Sequence, residues 1–213
     1  MRPMAATGRA GRLRLRRRLA VAQRGVELLD RKQRVIAAEL ERAELQRERT
    51  AEHWAAAWAE AAAWLARCTA LDGVQGVEDA ALNGVRDMDG TTVDGVAQVE
   101  VEWAGAMGVI YPQDARCVLP DVRPVQGSSA LALAGPAHRR AVEAAARHAA
   151  AERAVRLLSE ELAATRALRR AIEIRWVPRL AAALHDLEVR LDEADREENL
   201  RIRWSATTRE VSP

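Results

Sequence analysis

The chain has 213 residues, room for one domain or two small ones, and its 30% charged and 49% hydrophobic residues, with Phe absent and Ala abundant, match the profile of long helices. Net charge is only +2, but residues 1–26 carry eight Arg and no Asp or Glu, while residues 70–135 carry ten acids against three Arg. No apolar run approaches the ~18 residues of a membrane span, no secretory leader precedes the helical pattern, and no Gly-rich phosphate loop is present, so the chain is expected in the cytoplasm, without its own nucleotide site.

Residues 1–11 contain Pro and Gly and are expected to be disordered. An N-terminal helix follows over 12–71. Leu15, Leu19, Ala22, Val26, Leu29, Ile36, Leu40 and Ala43 form a heptad seam, with Gln33 filling its one gap. A repeat of 3.5 residues keeps one narrow stripe against a partner helix and makes a left-handed coiled coil. No Pro interrupts residues 12–69, and such a helix is a rod of roughly 85 Å. Arg47 and Thr50 are polar seam positions that fix register or open the pair locally. Trp54, Trp58, Ala61, Trp64 and Cys68 form an aromatic stripe, read as core beneath the middle segment.

Helical signals stop at Leu71-Asp72-Gly73, and a Gly-rich middle insert spans 72–135. Gln98–Trp103 alternates polar and apolar residues, the period of a half-buried strand. Ala104-Gly105-Ala106 reads as a turn and Met107–Tyr111 as a second strand closed by Pro112, so the pair predicts a short β-hairpin. Arg116–Pro120 reads as a third extended piece. A lone hairpin is marginal in water and needs support from the helices or from another protein.

Pro136, with Gly135 before it, reads as the start of a C-terminal helix over 136–204, followed by a flexible tail over 205–213. Its apolar positions include Val142, Ala145, Ala149, Val155, Leu158, Leu162, Leu168, Ile172, Trp176, Leu180, Leu184, Leu187 and Leu191. The steps from Leu168 to Leu184 are all of four residues, a stutter that unwinds a supercoil locally. Pro178 falls within it and is expected to kink the helix, and Trp176 is expected in the core beside it. The simplest way to bury both seams is to fold the chain back on itself. The expected fold is thus mainly α: a long antiparallel two-helix coiled coil built from the two ends of the chain, with a small middle insert containing a β-hairpin.

Three blocks carry a family resemblance. Leu19–Lys32 (LAVAQRGVELLDRK) is similar to a signature A-x-x-G-x-x-L-L-x-x-K that follows a basic run. Met107-Gly108-Val109 with Pro112 is similar to M-G-V-x-x-P. Glu173 with Val177-Pro178-Arg179-Leu180, and then Leu191–Glu198 (LDEADREE), are similar to P-x-L and L-D-E-x-x-R-E-E blocks. In this order they resemble the D subunit, the central rotor shaft, of V-type and archaeal A-type rotary ATPases. The departures are Thr7-Gly8-Arg9, where the family has Pro before Thr-Arg; Arg170, where it has Asn; and Asp30, often Lys.

The resemblance implies a non-catalytic central-stalk rotor protein without cofactor or metal. Its helical tip would turn inside a hexamer of A and B subunits. Its other end would bind the small F subunit and the funnel-shaped, C/d-type coupling subunit that leads to the membrane rotor, placing it at the membrane periphery without insertion. The candidate residues are Arg14, Arg16, Arg17, Arg18 and Arg196 for the hexamer-facing tip and Pro178 for the kink. The seam residues are Leu15, Leu19, Val26, Leu29, Ile36, Leu40, Leu184, Leu187 and Leu191. Trp103, Met107, Gly108, Val109 and Tyr111 are candidate hairpin contacts to a partner. Other readings are a homodimeric coiled-coil scaffold, for which the seam would pair between chains, and a basic nucleic-acid-binding protein, for which the Arg run would meet phosphates. His53, His138, His148 and His185 are scattered, and Cys68 and Cys117 lack CxxC spacing, so neither set suggests a metal site or a redox pair.

Overall fold

A computed structural model describes residues 8–84, 97–120 and 128–210. The elements are helix α1 (Gly8–Gly84), strands β1 (Gln98–Ala106) and β2 (Val109–Val118), helix α2 (Ser129–Ala171), one π-helical turn (Ile172–Trp176) and helix α3 (Val177–Glu210). The fold is mainly helical, long helices packed against each other with one antiparallel two-stranded hairpin, as the seam and the alternation predict.

The chain divides into two compact units, Met1–Arg34 with Ala163–Pro213, and Val35–Leu162. In the first unit the start of α1 pairs antiparallel with the end of α2, the π-turn and α3: Arg9 bridges to Asp195, Arg16 to Glu188 and Asp30 to Arg169. Leu15 and Leu187 are buried, and Leu19, Ala22, Val26, Leu29, Leu184 and Leu191 are half-buried.

The second unit is also built on antiparallel pairing of α1 with α2. Ile36, Leu158 and Leu162 form a core with Leu40 and Ala43. Farther along, Ala61 packs with Ala137 and Ala141, and Cys68 with Ala130 and Ala134. The α2 face is thus a row of alanines rather than the larger Val142, which is 46% exposed. Small residues on one helix make room for Trp64 on the other. Trp58 falls off the seam and is exposed; Ala57 takes the inward place. Polar seam residues meet here: Trp54 stacks on His148 with centroids 5.3 Å apart, and Thr50 Oγ1 lies 3.3 Å from His148 Nδ1.

Several boundaries differ from expectation. α1 begins at Gly8; its first helical stretch ends at a kink at Gly73 (φ 71°, ψ 170°), where the sequence places the stop, and a second stretch follows to Gly84. Such a φ is cheap for Gly alone, so Gly73 is where the chain kinks. The helix resumes because Val77 packs against the Cys68 cluster and Ala80 is buried. α2 begins at Ser129 and Pro136 lies inside it. The Ser128 carbonyl accepts bonds from the Leu131 and Ala132 amides, and the Ser128 hydroxyl donates to Asp72. Burial of Ala130 and Ala134 then carries the helix across a Pro that costs about 3 kcal/mol in an isolated helix. At the far end helix continues to Glu210, into the expected tail.

The hairpin also differs in detail. Ala106 pairs with Val109, so Met107 and Gly108 form a two-residue turn with φ 50° and 87°. Two positive φ values match the twist of antiparallel strands. Ala104-Gly105-Ala106 is therefore strand, not turn. β2 runs through Pro112 and includes Arg116–Val118, so the expected third piece belongs to the second strand. Trp103 pairs with Pro112 and Glu102 with Asp114, which leaves Gln113 as a bulge residue. A bulge is where a sheet tolerates a residue without N–H.

Candidate functional site and partner surfaces

The basic stretch sits on the first unit. Leu15 turns inward and Arg14, Arg16, Arg17 and Arg18 are exposed, as a seam one residue wide requires. Arg16 is held by Glu188, and Arg196 by Glu193 at 3.6 Å. Both pairs are solvent-facing and contribute about 0–1 kcal/mol each. Arg14, Arg17 and Arg18 extend from the surface without an ion pair to a described residue.

Arg17 and Arg18 border a groove floored by Val21, Ala22, Leu168, Ile172 and Leu180 and flanked by Trp176. Trp176 is 57% exposed and Leu168 53%, so neither is the core residue expected from the four-residue steps. The inward row is instead Thr165, Arg169 and Ile172, followed by Val177, Leu180 and Leu184.

Arg169 anchors a polar layer in that row. Its Nη1 donates to Asp30 Oδ1 at 2.8 Å and to Gln33 Oε1 at 3.0 Å. Its Nε lies 3.4 Å from the Glu173 carboxylate but is buried without a hydrogen bond. Gln33, the polar residue in the seam, thus has a partner across it. Asp30 also accepts from Arg34 at 2.6 Å.

Pro178 is the second residue of α3, and the backbone stays helical around it: Ala171 and Val177 both have right-handed helical dihedrals. What precedes it is the π-turn, in which the Val177 N–H bonds to the Ile172 carbonyl. Proline offers no N–H to the Ile174 carbonyl, and a π-turn widens the helix ahead of its ring.

The hairpin lies on the second unit. Val109 and Tyr111 pack against the Ile36–Leu158–Leu162 core, and the Tyr111 hydroxyl donates to Glu39 Oε2 at 3.2 Å. Burial and the neighbouring Glu39 carboxylate push the Tyr111 phenol above its usual pKa, only partly offset by Arg42. Pro112, Ala115 and Cys117 are buried on β2, and Arg139 donates to the Leu119 carbonyl at 3.2 Å. The hairpin therefore rests on the helices from the level of Ile36 to that of Arg139. Of the candidate contact residues, Val109 and Tyr111 face inward and serve the fold. Trp103 is 60% exposed, Met107 45% and Ile110, which sequence reasoning passed over, 68%. With Val99, Val101 and Val118 they form the exposed apolar surface of the hairpin. The exposure of Ile110 is readable only once the turn is placed at Met107-Gly108.

Burial, and secondarily Asp72, raises the Cys68 thiol above its usual pKa. Both cysteines are free and buried. Among the described residues no His, Cys, Asp or Glu cluster is arranged to hold a metal ion, and no helix is long and apolar enough to cross a membrane.

A family model described as the D subunit of ATP synthase matches residues 12–206. The match takes in both ends of the helical pairing and the hairpin. No curated protein matches the chain.

Proposed function

The chain belongs to the ATP synthase D-subunit family and is thus a component of a rotary ATPase; from that premise we propose that it is the non-catalytic central-stalk rotor, carrying torque between an A/B catalytic hexamer and a membrane rotor. The observation that carries this reading is the family match across antiparallel helices drawn from the two ends of one chain. A torque-bearing element needs stiffness, and knobs-into-holes pairing supplies it. It also needs asymmetry. The π-turn beside Pro178 makes one helix of the first unit irregular where α1 is regular. A rotor of this kind biases each catalytic site in turn by differential contact with its conformations.

Arg14, Arg16, Arg17, Arg18 and Arg196 are the proposed hexamer-facing residues. Trp103 and Met107 are the proposed hairpin contacts to the small F subunit, and the funnel-shaped coupling protein would complete the path to the membrane rotor. The protein would work at the cytoplasmic membrane periphery, within the complex. The seam is occupied within the chain, which weighs against a homodimeric scaffold. Arg16 bound to Glu188 weighs against a nucleic-acid surface.

The test is co-purification of the tagged chain with A, B and F subunits from its source cells, followed by reconstitution. Recovery of the hexamer with ATP-driven rotation supports the reading; a chain that recovers only copies of itself refutes it. In the reconstituted complex Pro178→Ala is expected to lower coupling more than stability, and unchanged coupling would remove Pro178 from the mechanism.

A further inference from the structure

The π-turn stands where two seam phases meet. Before it, Thr165, Arg169 and Ile172 turn inward at steps of four and three. Continued without interruption, that alternation would bring Trp176, Arg179, Ala183, Asp186 and Arg190 against α1. All five are exposed or lie off the buried row. The inward residues are Val177, Leu180, Leu184, Leu187 and Leu191, the same alternation displaced by one residue. One residue of α-helix is about 100° of rotation, so an unbroken helix would swing these leucines off the seam and put Arg and Asp in their place.

The turn absorbs that residue. The Val177 N–H reaches back five residues to the Ile172 carbonyl, where an α-helix would reach back four. Its position is fixed from both sides. Pro178 follows it and has no N–H with which to restore the α pattern to Ile174. Arg169 precedes it, tied across the seam to Asp30 and Gln33 and along the helix to Glu173 inside the turn.

We propose that Ile172–Trp176 is a register adapter. It stores one surplus residue so that two seam segments of opposite phase pair with the single continuous seam of α1, with Pro178 and the Arg169 layer setting where the surplus is stored. The wide turn is held less regularly than the α-helix on either side of it, so its amides should open more readily than theirs. This inference does not rest on the rotor assignment.

The helix should therefore tolerate losing a residue here but not gaining one. Three full-length variants test it: Pro178→Ala alone, Pro178→Ala with Ile174 deleted, and Pro178→Ala with one Ala inserted after Ile174. Relative to Pro178→Ala, the deletion is expected to leave the melting temperature unchanged or higher. The insertion is expected to lower it by roughly 10 °C, because Leu184, Leu187 and Leu191 leave the seam. By hydrogen exchange, amides 173–177 are expected to exchange at least roughly tenfold faster than those of the flanking turns in the native chain and in Pro178→Ala, and to become protected in the deletion. A deletion that melts as low as the insertion, or that fails to fold, overturns the proposal. So does full protection of amides 173–177 in the native chain.

Discussion

Replacing Arg169 tests how the polar layer contributes to pairing. Arg169→Ala removes the bonds to Asp30 and Gln33 and the weaker contact to Glu173. The Arg169 side chain is 32% exposed and Asp30 36%, so solvent screens the pair. Its worth lies nearer the 0–1 kcal/mol of surface pairs than the 3–5 kcal/mol lost on breaking a buried one, about 1 kcal/mol. The Gln33 bond adds about 1 kcal/mol and the Glu173 contact a few tenths. Against these stands the buried Nε without a hydrogen bond, a desolvation cost of about 1 kcal/mol that alanine sheds. The expected loss is thus about 1–2 kcal/mol. Arg169→Leu fills an inward seam position and recovers about 1–2 kcal/mol of apolar burial, so it should lie within roughly 0.5 kcal/mol of the parent. Urea unfolding followed by circular dichroism gives both values, and a double-mutant cycle with Asp30→Ala isolates the pair. If Arg169→Leu loses about 3 kcal/mol or more, the layer behaves as a buried ion pair and the reasoning from exposure is refuted.

Leu158 is fully buried in the cluster that seats the hairpin, so Leu158→Ala should cost about 3 kcal/mol and speed amide exchange in β1 and β2; loss of stability without faster hairpin exchange would separate the two. Tyr111 has a raised pKa, so its folded form holds the proton more tightly than the unfolded chain does. Its contribution is fully present below pH ~10 and is lost as pH climbs through the raised value, so Tyr111→Phe should flatten the stability decline above pH ~10; an unchanged slope would dismiss it. Met107 holds a positive φ that an L residue adopts at a cost. Met107→Asn suits the turn and should stabilise the chain by about 0.5 kcal/mol while weakening capture of the F subunit, and a lower melting temperature would count against the turn assignment.

Much of this molecule was legible in the chain. The α1 seam needed only the positions of Leu15 to Ala43, because a 3.5-residue period admits one geometry. The alternation in Gln98–Trp103 located the hairpin, and the three motif blocks pointed to the family that the match confirms. What stayed hidden depended on tertiary contact. In an Ala-rich helix the inward face cannot be chosen by hydrophobicity, and Ala137, Ala141 and Ala144 face inward where Val142 does not. The hairpin turn went to Met107-Gly108 because strand pairing, not the flexibility of Ala-Gly-Ala, decides register.

The repeat of equal four-residue steps near Pro178 was in the sequence too, as a defect of phase. Periodicity can register that a seam slips; it cannot say how the backbone takes up the slip. Only the packed helix answers that, since the energy of keeping Leu184, Leu187 and Leu191 against α1 is what selects a wide turn over an unbroken one. The chain by itself thus determined two long pairing helices and the family they belong to. Tertiary structure decided which faces meet, because burial is settled between elements and not within them.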